Sequence, residues 1–297
     1  MVTNTNSAYC FIAFLFCISI NGNIYSQFES SEKIQVFILA GQSNMDGRGD
    51  ASKLTNDDVI GLSKAKENIL FAYNGSQPAP LHVTQIKQDF IRKKFRVDSI
   101  FGPELFFGIE MSKQFPDKKF LFIKRSRGGT SLYGCWNPNW SIDKATHVNE
   151  QNKPKLFFEM LEFTDAILAE FDPKSYELAG MLWVQGESDS GRKLPSNSYE
   201  QNLTNLIQHT RKHYKTNDLP FLMLQVSRGK VADAMRSVSK NLPRVSFIAQ
   251  SYSEDAFNFL PQYDYMWKGR PAGHYNYEGM KKIGVLFSKE FVKTYSK

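Results

Sequence analysis

Val36-Phe37-Ile38-Leu39-Ala40-Gly41-Gln42-Ser43-Asn44-Met45 opens on an apolar run and breaks at once into a glycine, an amide and a hydroxyl. A short run that is apolar on both faces reads as a strand of a parallel sheet covered on two sides. Five further runs share the pattern: Ile69 to Tyr73, Phe120 to Ile123, Met181 to Val184, Phe221 to Leu224 and Val245 to Ile248. Helical patterns lie between them. Pro103 and Glu104 suit the first turn of a helix that continues with Leu105, Phe106 and Ile109, and Pro154 opens a broad apolar helix that Pro173 closes. Leu203, Leu206, Ile207 and Tyr214 share one helical face, as do Met280, Ile283, Phe287 and Phe291 in a helix predicted over Asn276 to Tyr295. Strand and helix in alternation predict a single-domain three-layer α/β/α sandwich with a central, mainly parallel sheet. Ligands of such sheets bind beyond the carboxyl ends of the strands, so the residues that follow each strand are the ones to read for chemistry.

Composition sets limits on that reading. With 297 residues, 41% hydrophobic and 23% charged, the chain is neither disordered, nor collagen-like, nor a disulfide-stapled miniprotein. It has 37 Lys and Arg against 30 Asp and Glu, a formal charge of +7, which points weakly to an anionic partner. No nucleic-acid fold signature accompanies it, and Arg92-Lys93-Lys94-Phe95-Arg96 and Lys118-Lys119 read as solvated faces. The 3 cysteines fit neither a zinc ribbon nor a disulfide framework.

Met1 to Ser26 carries no charged side chain, and its apolar stretch Ala8 to Ile20 falls short of the roughly 20 residues that span a bilayer. Residues 1–26 therefore read as a signal peptide cleaved near Ser26, with an uncleaved anchor as the alternative. Residues 27–297 then form one secreted or periplasmic domain with no stable membrane insertion, and Cys135 is its single thiol.

Gly41-Gln42-Ser43-Asn44-Met45 follows the first strand, Arg127-Gly128-Gly129-Thr130-Ser131 the third, and Gln185-Gly186-Glu187-Ser188-Asp189 the fourth; Gly273-His274 precedes the last helix. Separate segments thus deliver a hydroxyl, small backbone donors, an amide with a carboxylate, and an imidazole to one rim. Acyl transfer needs this set: a nucleophile, a base, an acid to orient the base, and donors for an oxyanion. Taken singly, a serine after a strand is usually a turn residue and a glycine pair a tight turn. Their joint placement carries the reading.

The ordered blocks Ile38 to Met45, Phe101-Gly102-Pro103-Glu104, Gly128 to Leu132, Trp183 to Asp189, and His274-Tyr275 with Gly279 and Gly284 resemble the sialate O-acetylesterase-type domain of the SGNH hydrolase superfamily, which includes carbohydrate esterase family six and its acetylxylan esterases. The resemblance spans nearly the whole chain after residue 31. It implies a flavodoxin-like sheet and cofactor-free, metal-independent removal of acetyl groups from a polysaccharide or oligosaccharide. By block matching it implies Ser43 as nucleophile and His274 as general base. The implied oxyanion donors are the Ser43 N–H, a backbone N–H of the Gly128-Gly129 turn (Gly129), and the Gln185 side chain.

One departure stands out. Where most of the superfamily has the Asp of an Asp-x-x-His block, this chain has Pro271, in Arg270-Pro271-Ala272-Gly273-His274. Either the orienting acid comes from elsewhere or the enzyme works without one: the resemblance to Ser-Glu-His members makes Glu187 the first candidate, Asp264 the second and Asp189 the third, and a purely structural Glu187 is the competing reading. The position of His274 ahead of a helix disfavours imidazolium and keeps the resting base neutral.

Trp136 and Trp140, after the glycine turn, are candidates to stack on sugar rings, or else to anchor their own loop. His209 and His213 have the spacing of a helical metal pair but lack the intervening glutamate, and read as surface residues. Cys135 is not needed as nucleophile beside Ser43. The expected activity is acetylxylan esterase-like, with a sialate 9-O-acetylesterase or broad arylesterase as rival, and a carbohydrate-binding protein without turnover as the rival of another class.

Overall fold

The computed structural model describes residues 32–295; the expected signal peptide lies outside them. Strands and helices follow in the order β1 (Ile34–Gly41), α1 (Ser43–Asp46), β2 (Gly49–Asp50), α2 (Asn56–Asn68), β3 (Ile69–Tyr73), β4 (Ala79–Pro80), β5 (Thr84–Gln85), α3 (Asp89–Phe95), β6 (Ser99–Phe101), α4 (Pro103–Gln114), β7 (Phe120–Ser126) and α5 (Ile142–His147). The second half continues with α6 (Leu156–Leu168), β8 (Tyr176–Val184), α7 (Glu187–Ser190), α8 (Lys193–Asn197), α9 (Tyr199–His213), β9 (Phe221–Leu224), α10 (Lys230–Asn241), β10 (Val245–Ile248), the pair β11 (Met266–Trp267) and β12 (Arg270–Pro271), and α11 (Tyr277–Tyr295).

The main sheet has the order β10-β9-β8-β1-β7-β3-β4. All neighbours are parallel except β4, which pairs antiparallel with β3. The six strands expected from apolar runs are its six parallel strands, and the expected α/β sandwich is the observed fold. Alternate residues of β1 serve opposite layers. Phe37 meets Phe107 of α4 and Phe291 of α11 with ring centroids 5.0 and 4.9 Å apart, while Val36 joins Leu70, Leu121, Ile123, Ile167 and Leu168 on the other face. Such burial on both sides is what makes these strands continuous apolar runs in the sequence.

Strand β1 lies between β7 and β8, where the chain order reverses, the position at which open α/β sheets form their ligand crevice. Register brings the three strand ends level: Gly41 pairs with Ser126 on one side and with Val184 on the other. Gln42, Arg127 and Gln185 therefore leave the sheet side by side. A side chain at position 41 would place its Cβ 2.1 Å from the Val184 carbonyl oxygen, and the backbone there has φ +153°, so only glycine lets β1 turn out of the sheet against β8. A second layer of short elements, the sheet β2-β6-β5 with α3, packs through Ile86, Phe95, Val97 and Ile100 and walls one side of the crevice.

Candidate active site

Ser43 is the first residue of the one-turn helix α1, and its own N–H belongs to the first turn, where no intrahelical acceptor exists. Buried charges brace this turn. Lys124 of β7 forms an ion pair with Glu104 at 2.7 Å, both out of solvent, and its ammonium also donates to the Asp46 carbonyl at 3.2 Å. The carboxylate of Asp46 accepts from Ser126 Oγ at 2.5 Å and Tyr73 Oη at 3.1 Å, and pairs with Arg48 at 3.3 Å. Glu104 of the Phe101-Gly102-Pro103-Glu104 block thus braces the turn that carries Ser43 through Lys124. Across the crevice Gly128 comes so close that a Cβ there would sit 3.4 Å from Ser43 Cβ; Gly129, at φ +67°, faces open space.

His274 reaches Ser43 from the far end of the chain, with Nε2 2.9 Å from Ser43 Oγ. Gly273 and His274 both have positive φ, +57° and +72°, which turns the ring back over α1. A non-glycine residue in that region costs about 1–3 kcal/mol, so the surrounding structure holds the imidazole there against strain. Nδ1 lies 3.3 Å from the Ala272 carbonyl oxygen. A carbonyl only accepts, so Nδ1 carries the proton and Nε2 is left to accept from the serine hydroxyl, the tautomer that a general base requires. Burial, then the Arg48 guanidinium and, more weakly, the Lys94 ammonium, hold the imidazole down to about 4, against a pull in the other direction from Ala272. Burial and the two cations thus favour the neutral imidazole.

No carboxylate among the described residues meets His274 Nδ1. Glu187 accepts from Asn44 Nδ2 at 2.5 Å, and its Oε2 is buried without a partner; burial raises its pKa. Asn44 Oδ1 in turn receives the Tyr275 N–H at 3.5 Å, so Glu187 touches the His274 segment only through Asn44. Asp264 is exposed, and its segment meets His274 through the backbone, Tyr263 N–H donating to the His274 carbonyl. Asp189 is buried against Gln185 and the N–H groups of Leu132 and Tyr133, where burial lifts it to about 6. The expectation of a direct acid behind the imidazole is therefore corrected. The polar group nearest Nδ1 is the Ala272 carbonyl, and Pro271 offers no carboxylate.

Gln185 also differs from its expected role. It is fully buried, and its Nε2 faces Asp189 Oδ2 at 2.7 Å, the Thr130 carbonyl at 3.0 Å and Gln42 Oε1 at 3.4 Å, while its Oε1 accepts from Tyr199. Two amide hydrogens among three acceptors leave none for a substrate. Gln42 sits on the crevice wall instead. Its Oε1 is fixed by Gln185 and by the Ser188 N–H at 3.2 Å, which leaves its Nε2 as a donor beside Ser43. The residue is adjacent to Ser43 in sequence, but which of two glutamines faces substrate depends on the partner of each.

Trp136 cannot stack on a sugar. It is completely buried against Trp183, with Nε1 donating to Thr130 Oγ1. Trp140 is half-buried under the Lys155 ammonium, 4.1 Å from its ring, and neither tryptophan lines the crevice. Lys94, expected on a solvated face, lines it, while its neighbour Arg92 does pair outward with Asp89 and Asp98. Cys135 is buried and its thiol is pushed far up by desolvation, which makes it a poor nucleophile. His209 and His213 are both exposed, His213 2.8 Å from Asp165.

Gln42, Ser43, Gly128, Gly129 and His274 together line a crevice of about 1080 Å³. A hydroxyl bonded to an imidazole of the right tautomer, beside free backbone and amide donors, is the equipment of an acyl-transfer site. A family model described as carbohydrate esterase, sialic acid-specific acetylesterase, matches residues 33–293. The chain belongs to this family. It is a carbohydrate O-acetylesterase, and the resemblance read from the ordered blocks is borne out.

Solved structures share the fold of this esterase. A protein of Arabidopsis thaliana is 20% identical with a TM-score of 0.62, covering 89% of this chain and 99% of its own. NanS is 14% identical with a TM-score of 0.59, covering 90% and 99%. A carbohydrate acetylesterase from Xanthomonas citri, XAC1771, is 13% identical with a TM-score of 0.54 over 89% of this chain and 57% of its own. A search among curated proteins gave no match. No helix among the described residues is long and apolar enough to cross a membrane.

Proposed function

We propose that the esterase works through an acetyl-Ser43 intermediate with His274 as general base, on an acetylated xylan-type polysaccharide, after export and cleavage near Ser26. The contact between His274 Nε2 and Ser43 Oγ, 2.9 Å, carries the reading. Ser43 attacks the acetyl carbonyl while Nε2 takes its proton. The oxyanion is held by the Ser43 N–H, the Gly128-Gly129 turn and Gln42 Nε2, the last in the place first given to Gln185. The imidazolium returns the proton to the sugar oxygen as it leaves. Water then attacks the acetyl group with the same nitrogen as base and releases acetate. The Ala272 carbonyl keeps the tautomer through both halves of the cycle. Hydrolysis of 4-nitrophenyl acetate by the wild type and by Ser43→Ala tests the mechanism: turnover is lost with the hydroxyl, and release of acetate independent of Ser43 sinks the proposal.

A second reading, a sialate O-acetylesterase, draws on the charge of the crevice. Arg48, Lys94 and Arg127 line it, and the Arg48 Nε is buried without a partner. A sugar carboxylate there would offset the two cations that oppose imidazolium formation. Rates on acetylated xylan, pectin, mannan and O-acetylated sialic acid separate the two readings.

A further inference from the structure

The crevice is far larger than an acetyl group, and α3 forms one of its walls. Of the aromatic side chains on its lining, Tyr73 is tied to Asp46 and Phe95 is buried against the His274 ring, with centroids 5.1 Å apart. Phe90 is different: it lines the same crevice and is 60% exposed. It precedes Phe95, whose ring abuts the His274 imidazole, by five residues on α3, a backbone rise of about 7.5 Å along the helix axis. Lys94, one turn further along α3, shares the face of Phe90, also lines the crevice, and holds its ammonium 5.0 Å from the centre of the Phe95 ring.

Resting on the reading of a polymeric carbohydrate substrate, we propose that Phe90 is a stacking platform for the sugar residue next to the acetylated one. An aromatic face offers a rigid apolar surface to the C–H side of a sugar ring, while the ring hydroxyls stay turned to water and to Lys94. The observation that carries this is an exposed aromatic within the catalytic crevice itself; a phenylalanine elsewhere on the surface would need no explanation.

The test compares chemically acetylated xylose with chemically acetylated xylotetraose, using wild type, Phe90→Ala and Phe90→Trp. The wild type gains about tenfold in kcat/KM on the tetrasaccharide, equivalent to about 1.4 kcal/mol. Phe90→Ala loses that gain through KM, Phe90→Trp keeps it, and all three hydrolyse 4-nitrophenyl acetate alike with unchanged Tm. A wild type that gains nothing from the added sugars, or an alanine variant that keeps the gain, overturns the proposal. Failure of the mechanism itself shows separately, as 4-nitrophenyl acetate turnover that survives Ser43→Ala.

Discussion

His274 Nδ1 lies 3.3 Å from the carbonyl oxygen of Ala272, two residues before it in the chain. The base is thus held by its own backbone segment. A carbonyl fixes the tautomer but brings a partial charge where a carboxylate would bring a full one, so it stabilises the imidazolium less. Some of the loss is recovered by geometry, because the packing of Phe95 against the ring and the turn at Gly273 and His274 fix its direction before substrate arrives.

The role of Glu187 follows from that contact. Where a carboxylate orients the histidine directly, its amide variant loses about 10⁴ in kcat. Here Glu187→Gln still accepts from Asn44, and the expected change in kcat is under about tenfold; Asp264→Asn is silent. Steady-state kinetics of both variants on 4-nitrophenyl acetate check this, and a loss near 10⁴ in Glu187→Gln returns Glu187 to the acid position.

The acid limb of activity reports His274. A histidine lowered to about 4 stays neutral, and so competent as a base, at every pH above that value, so kcat/KM rises through about pH 4 and levels off well below the ordinary histidine range. Removing a neighbouring cation relaxes the depression. In Lys94→Met the limb moves to higher pH, towards the ordinary value of 6.5 and never below the wild-type limb.

The two glutamines separate by kind of damage. Loss of one oxyanion donor costs about 10²–10³ in kcat, so Gln42→Ala lowers kcat by about that factor with KM little changed. Gln185→Ala strands the buried Asp189 and Thr130 acceptors and costs about 1–3 kcal/mol of stability, read as a fall in denaturation midpoint. A large stability loss in the first with none in the second reverses the assignment.

Lys124→Met leaves Glu104 charged and buried with its ion pair gone. The expected loss is about 3–5 kcal/mol, and Lys124→Met with Glu104→Leu recovers part of it. Because Lys124 also holds the Asp46 carbonyl, the double variant regains stability without regaining full turnover. Chemical denaturation beside 4-nitrophenyl acetate kinetics distinguishes the two effects.

The sequence by itself determined the sheet, because six short apolar runs separated by helical periodicity fit a parallel sheet covered on both faces, while the register that levels the strand ends came from the structure. It also made Ser43 and His274 candidates, one after the first strand and one before the last helix, and the structure brings the two side chains to 2.9 Å. Tertiary structure decided the rest. Gln42 and Gln185 carry the same amide, and only the positions of Ser188, Thr130 and Asp189 leave one free and consume the other. Trp136, in a loop, and Phe90, on α3, are both aromatic, yet one is buried with its Nε1 donating to Thr130 while the other is exposed in the crevice. What stands behind His274 is a backbone atom, present at every residue and so invisible in any motif; its role exists only because two positive φ angles fold the ring back onto it.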